Sequence, residues 1–214
     1  EFFPENPVLG FMPFTLNKDN YMEIRTLKDI SANLKLIGEQ NASLWIHSTE
    51  TDGKMDELSV EISQINLEKV SHFAPIPVMG GLANVALRYV PMEKSFMVAT
   101  DASVDDLVYQ GGSMGELLLN GVYLPLDNDR HQFDAHFFHN QAEIAMLSAL
   151  YQPSKKHRVN GTMTLSQLPL KMLNPFLGET GRMQGWLNGR MTLAGTNKKP
   201  SWNGHLQLDS ASAY

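Results

Sequence analysis

Apolar and polar residues alternate with a period of two along most of this 214-residue chain, and this pattern constrains its fold more than any other feature. A period of two puts every second side chain on one face of an extended strand. Turns rich in Gly, Asn and Asp separate the alternating stretches. The sequence therefore predicts a mainly β fold: an antiparallel meander, sandwich, barrel or solenoid. The alternating apolar positions are Leu34 and Leu36; Leu44 and Ile46; Leu58, Val60 and Ile62; Val85, Leu87 and Tyr89; Phe133, Ala135 and Phe137; Met163 and Leu165; Met191 and Leu193; and Leu206 and Leu208.

Two short segments interrupt the strands with helical spacing. Residues 67–73 carry an apolar side chain at every third position and are followed by Pro75, and residues 170–176 repeat this spacing. Both patterns predict one or two helical turns. Residues 142–150 are rich in Ala, Leu and Met and fit either a further helix or a strand.

The helical segments belong to an internal repeat. Residues 62–67 (ISQINL) match residues 165–170 (LSQLPL) at an offset of 103, and residues 81–84 (GLAN) match residues 185–188 (GWLN) at an offset of 104. Each copy reads as strand, short helix, loop, strand, turn and strand. A repeat of this size indicates a sheet that grows by adding modules along one axis, and it argues against a closed globule with a unique catalytic centre.

Composition narrows the range of partners. The chain has 17 basic and 23 acidic residues, a net charge of −6, and no basic stripe that could neutralise phosphates, so we expect no nucleic-acid partner. It has no cysteine, which excludes disulfides and thiol catalysis. No apolar run approaches the roughly 18 residues that span a bilayer. Because the sequence starts at Glu1 without a Met or a signal-like stretch, we expect it to be a piece of a longer protein.

Residues 165–214 resemble the recurring unit of TamB C-terminal regions and their AsmA-like relatives. In that family a short helix ending near L.PF precedes the pattern G.L.G...L.GT...P...G.L.L..A. Residues 104–123 are similar to another family element, an outward strand, a Gly turn and a strand back, so the resemblance covers residues 62–214. The matching positions are Leu173, Pro175, Phe176, Gly185, Leu187, Gly189, Leu193, Gly195, Thr196, Pro200, Gly204, Leu206, Leu208 and Ala211.

The resemblance implies an elongated, twisted antiparallel sheet of the β-taco or β-solenoid-like type, open along one side, with an apolar inner face and one or two short helices. It also implies three parts. Residues 1–61 are a β segment that continues the sheet from upstream, residues 62–164 are a first TamB-like β module, and residues 165–214 are the start of a second.

The same resemblance implies a non-enzymatic protein in the periplasm of a Gram-negative bacterium, anchored in the inner membrane by a segment outside this chain. Its implied partners are a phospholipid or other acyl-chain lipid and an outer-membrane assembly factor of the Omp85/TamA type. The alternative function is a chaperone that binds β-strands of outer-membrane proteins by β-augmentation. The family implies no cofactor and no catalytic residue.

A sheet with one apolar face must cover that face, either with a second sheet or with a ligand. Burying about a dozen methylenes contributes roughly 10 kcal/mol relative to water. A lipid in a bilayer already has this burial, so its net gain in a groove is near zero, which suits a conduit. The same residues in an ordinary closed core are the alternative. The predicted groove residues are Val85, Leu87, Phe133, Phe137, Met163, Leu165, Met191, Leu193, Leu206 and Leu208.

One motif has the form of a hydrolase signature. Residues 111–115 (GGSMG) satisfy G-x-S-x-G, which would make Ser113 a nucleophile. A nucleophile elbow needs a strand that leads into a helix within a parallel α/β sheet. The residues after Gly115 are of β type and the chain lacks βαβ alternation, so we interpret the motif as a turn.

Two clusters have the residue types of metal sites. In an extended strand His131 and His139 share a face while His136 points to the other, so the three do not converge. The aspartates between residues 101 and 106 lack the glycine and glutamate spacing of a calcium loop. We therefore predict no metal site.

Overall fold

The computed structural model describes residues 6–9, 12–72, 77–177 and 181–213, and strands dominate this part of the chain. Its strands are β1 Val8–Leu9, β2 Met12–Pro13, β3 Thr15–Leu16, β4 Tyr21–Thr26, β5 Asp29–Ile37, β6 Ser43–Thr51, β7 Lys54–Asn66, β8 Met79–Pro91, β9 Phe96–Tyr109, β10 Gly112–Leu126, β11 Arg130–His139, β12 Ala142–Gln152, β13 Arg158–Pro169, β14 Met183–Thr196 and β15 Lys199–Ala213. Its helices are α1 Leu67–Ser71 and α2 Asn174–Leu177, and 3₁₀ turns cover Glu39–Asn41 and Leu170–Leu173.

Within the described residues, thirteen strands form one antiparallel sheet. From β5 to β15 each strand pairs with the next one in the chain, while β3 and β4 both pair with β5. Among the described residues, the edge strands β3 and β4 do not pair with β15 at the other edge, so the sheet is open and is not a barrel. The predicted mainly β fold, an elongated antiparallel sheet with few short helices, is confirmed.

This open sheet leaves much of its apolar surface in contact with solvent. The accessible surface is 13561 Å², whereas a compact monomer of 23.9 kDa would expose about 9,900 Å². No large side chain of the described residues is completely buried. A small packed cluster of Phe14, Leu16 and Leu36 lies near the β3 edge. The sheet therefore has no thick central core.

The same irregularity occurs in both copies of the sequence repeat. Gln64 in β7 and Gln167 in β13 have φ angles of 55° and 49°, and each adds one residue relative to the strand that follows it in the sheet. The backbone N–H of Gln64 donates to Asn84 Oδ1 at 2.9 Å, and that of Gln167 donates to Asn188 Oδ1 at 2.7 Å. Because a β-bulge shifts the alternation by one residue, apolar positions on both sides of it stay on one face.

Other sequence predictions have mixed outcomes. Residues 142–150 lie in strand β12, so the strand alternative was right and the helix alternative was wrong. The predicted helical segment at residues 67–73 is helical over Leu67–Ser71, while Phe73 and Pro75 lie outside the described residues. The predicted module boundaries before residues 62 and 165 fall inside β7 and β13, and the division into modules stays a prediction. No helix of the described residues is long and apolar enough to cross a membrane.

Candidate functional site

Cross-strand pairing joins one residue from each of twelve strands into a single row across the sheet. Directly paired residues project from the same face of a sheet, so the row marks one face, which we call the inner face. Eleven of its twelve residues have apolar side chains and the twelfth is Gly189, so we call it the apolar row. The row runs Leu16, Leu36, Leu44, Ile62, Val85, Ala102, Leu119, Phe137, Ala145, Leu165, Gly189 and Leu206.

Two parallel rows widen the inner face. They follow at steps of two residues along each strand, or about 7 Å per step. The second row runs Leu34, Ile46, Val60, Leu87, Thr100, Gly121, Ala135, Leu147, Met163, Met191 and Gly204. The third runs Leu58, Tyr89, Val98, Tyr123, Phe133, Ala149, Gly161, Leu193 and Trp202.

The register puts all ten predicted groove residues on the inner face. Nine belong to the three rows above, and Leu208 pairs with Leu187, two residues beyond Gly189 in β14. Leu165 is buried, whereas Phe137 is 38% and Leu206 is 49% exposed. The ten residues thus share one surface without forming a closed core, and their binding of lipid stays a prediction.

Part of the inner face is hollow. A cavity of about 520 Å³ lies over strands β8 to β13, and Met172 from the Leu170–Leu173 turn lines it beside the apolar row. Ser103 is the one polar residue among the described residues that line it. Sequence reasoning missed Leu119 and Met172. The three consecutive leucines of residues 117–119 hide the period of two, and a helical turn gives no sign of which sheet face it covers.

The opposite face, here called the outer face, is mainly polar. The outer-face row adjacent to the apolar row runs Lys35, Trp45, Glu61, Ala86, Asp101, Asn120, His136, Met146, Thr164, Arg190 and His205. Arg88 pairs with Asp101 at 2.6 Å, and His136 with Glu143 at 2.7 Å. One face of the sheet therefore suits water and the other does not.

The residues of the hydrolase-like motif lie at a hairpin. Gly111 is in the turn between β9 and β10, and Ser113 is in strand β10, opposite Val108. Strand β10 continues to Leu126 without a helix. This is the turn predicted from the sequence, and it lacks the strand-to-helix geometry of a nucleophile elbow.

The three histidines do not converge. His131 and His139 lie on the inner face and His136 on the outer face, as the strand geometry predicted. His139 Nε2 lies 3.0 Å from the carbonyl oxygen of Met114. No cluster of three or more metal-ligating side chains is found in the described residues.

An open antiparallel sheet with one continuous apolar face and one mainly polar face defines the class of β-scaffold proteins. The chain belongs to the TamB family, because the family model described as TamB, N-terminal domain, matches residues 37–208, well over half of the chain. The family resemblance is thereby confirmed, although the matching model describes the N-terminal domain and the resemblance pointed to C-terminal regions. No curated protein and no solved structure gave a significant match.

Family membership associates the chain with the Gram-negative cell envelope. TamB proteins are non-enzymatic components of the translocation and assembly module of the Gram-negative envelope. The family acts with TamA, a protein of the Omp85 type.

Proposed function

We propose that the inner face carries the acyl chains of phospholipids between the inner and outer membranes, across the periplasm. The observation that supports this most directly is the apolar row, which crosses the sheet without a charged or polar side chain. At about 4.8 Å per strand, twelve strands give a track of about 50 Å. An acyl chain on this track stays in contact with apolar side chains at every step.

The energetics of an open face suit transport. A sealed pocket would hold a lipid tightly, whereas an open face covers an acyl chain on one side only and gives it no more burial than a bilayer does. The net free energy of entering the groove is then near zero, while the barrier to crossing water falls. Successive strands present Leu, Ile, Val, Ala and Phe in the row, so a sliding chain meets sites of similar affinity.

Lipid binding can be tested with a pair of charge insertions of matched exposure. Phe137 on the inner face is 38% exposed and Met146 on the outer face is 42% exposed. Lipid would be extracted from the purified protein and quantified by mass spectrometry. We expect phospholipid in the wild type and in Met146→Asp, and a loss of most of it in Phe137→Asp. A lipid-free wild type, or equal lipid in both variants, would contradict the proposal.

A second candidate function rests on the edge of the sheet. In the described part of the chain, β15 pairs only with β14, and all but one of its described side chains are exposed. A strand edge of fifteen residues is a template for a further strand, whether the next strand of a longer chain or one from another protein. A β-strand of an outer-membrane protein could therefore bind by β-augmentation.

Photo-crosslinking separates the two candidates. A photoreactive residue at Leu206 or Met191 would be activated in cells, and its adducts identified by mass spectrometry. Lipid adducts favour the conduit, and peptide adducts favour the strand-binding chaperone. Under the conduit proposal we expect lipid at both positions.

The envelope location and the partner are part of the same proposal. We infer that the protein works in the periplasm, held at the inner membrane by a segment outside this chain, and meets an assembly factor of the Omp85/TamA type. Family membership supports this inference. Fractionation of cells and co-purification with the outer-membrane partner would test it, and a cytoplasmic protein without that partner would contradict it.

A further inference from the structure

The inner face changes in chemistry along the strands. Near the 520 Å³ cavity its side chains are almost entirely aliphatic or phenyl groups. Towards the turns at residues 127–129 and 153–157 they become tyrosine and histidine. Tyr123 Oη lies 2.8 Å from His131 Nδ1, and Tyr151 Oη lies 2.6 Å from His157 Nδ1. Side chains with an apolar body and a polar end suit the boundary between hydrocarbon and water.

Two neighbouring turns at this end of the strands are basic. The turn from β12 to β13 and the turn from β14 to β15 are joined by a hydrogen bond of 3.0 Å from the Asn197 N–H to the His157 carbonyl oxygen. Their cations are exposed, and none forms an ion pair with any described residue. We call the three lysines inside these turns, Lys155, Lys156 and Lys198, the basic rim. Arg158 and Lys199, at the adjoining strand ends, pair with residues of the outer face and are not part of it.

The basic rim differs in charge from the rest of the chain. The whole chain has a net charge of −6, yet no acidic residue lies within residues 153–159 or 196–201. Asp129 in the neighbouring turn contacts this region through its Oδ2, which accepts a hydrogen bond from the Ser154 N–H at 2.8 Å. A concentration of unpaired cations on an acidic protein favours an anionic ligand at this position.

The distance along a strand fits one lipid molecule. Phe137 in the cavity and His131 at the polar end lie on the same strand, six residues apart, or about 20 Å. The acyl chains of one bilayer leaflet extend roughly 15 Å. A lipid with its chain ends in the cavity would therefore bring its headgroup to the tyrosines, histidines and basic rim.

We propose that the basic rim binds the phosphate of a phospholipid whose acyl chains lie along the strands of the inner face. This proposal rests on the conduit function. It adds how the lipid is oriented on the inner face and which headgroup is preferred. The headgroup lies at the turns between β12 and β15, and an anionic phospholipid is preferred to a lipid with the same chains and no phosphate. The lysine side chains supply charge-assisted hydrogen bonds to the phosphate oxygens.

The test compares two lipids that differ only in the headgroup. The 214-residue chain would be incubated with vesicles containing equal amounts of dioleoylphosphatidylglycerol and dioleoylglycerol, separated by gel filtration and analysed for bound lipid by mass spectrometry. The rim variant replaces Lys155, Lys156 and Lys198 with Gln. A control variant replaces three exposed lysines outside the basic rim, Lys18, Lys54 and Lys94, with Gln, and so makes the same change in net charge.

We expect the wild type and the control variant to favour phosphatidylglycerol. The rim variant should lower the ratio of phosphatidylglycerol to dioleoylglycerol by about three- to tenfold, since two or three exposed ion pairs are lost. Its total bound lipid should stay similar, because the apolar rows are unchanged. Added salt should lower the wild-type ratio in the same direction.

Other outcomes overturn the proposal in distinguishable ways. If all three proteins bind lipid with the same ratio, the basic rim does not read the headgroup, and the conduit function stands. If the rim variant loses only its co-elution with the vesicles and keeps the wild-type ratio of bound lipids, the cations bind a bilayer surface and the headgroup proposal is wrong. If the wild type binds neither lipid, the conduit function fails and the rim proposal fails with it.

Discussion

Asn84 and Asn188 occupy equivalent bulge positions in the two copies of the repeat, but their amide groups face different partners. Asn84 Nδ2 donates to Ser103 Oγ at 3.3 Å, whereas Asn188 Nδ2 donates to Asp209 Oδ2 at 2.6 Å. Replacing either one with Ala leaves the N–H of the bulge glutamine without its side-chain acceptor. We expect each Ala variant to lower the free energy of unfolding by about 1 kcal/mol, measured in urea.

Substitution by aspartate should change the free energy of unfolding differently at Asn84 and at Asn188. In Asn84→Asp a carboxylate oxygen replaces the amide oxygen as acceptor for the N–H of Gln64, and the Ser103 hydroxyl can donate to the same carboxylate. The free energy of unfolding of this variant should therefore be close to that of the wild type. Asn188→Asp would put a second carboxylate against Asp209 and should be at least as destabilising as Asn188→Ala at neutral pH. Equal stabilities for the two aspartate variants would contradict this account.

Asp129 gives a prediction about pH. Its pKa lies below the ordinary value of 3.8, chiefly because the backbone N–H of Ser154 donates to the carboxylate, with a further contribution from His131. The fold therefore favours the charged form, and this stabilisation is present above pH 3.8 and is lost as the pH falls through the lower pKa of the folded protein. We expect Asp129→Asn to lower the melting temperature at about pH 6, with a difference from wild type that shrinks as the pH falls below 3.8. A difference that is constant with pH would contradict the assignment.

At the scale of elements, the helical turn after β13 covers part of the inner face. Leu170 and Met172 from this turn are 4% and 7% exposed, among the most buried side chains described. Met172→Ala would remove contacts with the cavity walls, and we expect a loss of about 2 kcal/mol in the free energy of unfolding. Met146→Ala on the outer face, where the residue is 42% exposed, should cost clearly less than Met172→Ala. Similar losses at both positions would show that the turn does not pack on the sheet.

The strands themselves were readable from the sequence because the period of two survives in most of them. Residues 142–150 were ambiguous because Ala, Leu and Met favour helices. In the structure this segment is strand β12, since pairing with β11 and β13 outweighs the local preference. The alignment of these apolar residues into one row could not be predicted from the sequence. It depends on the cross-strand register, which bulges such as those at Gln64 and Gln167 shift by one residue.

At the scale of the whole molecule, the sequence repeat and the apolar row both follow from the order in which the strands pair. Strands are added in chain order, so each new hairpin extends the apolar row by two positions and needs no contact with distant parts of the chain. The family match from residue 37 to residue 208 spans this regular region. Such a sheet can lengthen without changing its cross-section, which is the property a track between two membranes requires.

This construction predicts an expanded molecule in solution. A compact protein of 214 residues would have a radius of gyration of about 17 Å. A sheet about 55 Å across its strands and about 45 Å along them should give about 20 Å or more. Small-angle scattering coupled to gel filtration would measure this value on the monomer, with any dimers that form through the β15 edge removed by the column. A value near about 17 Å would mean that the sheet closes on itself and seals the inner face, which would remove the track on which both proposals depend.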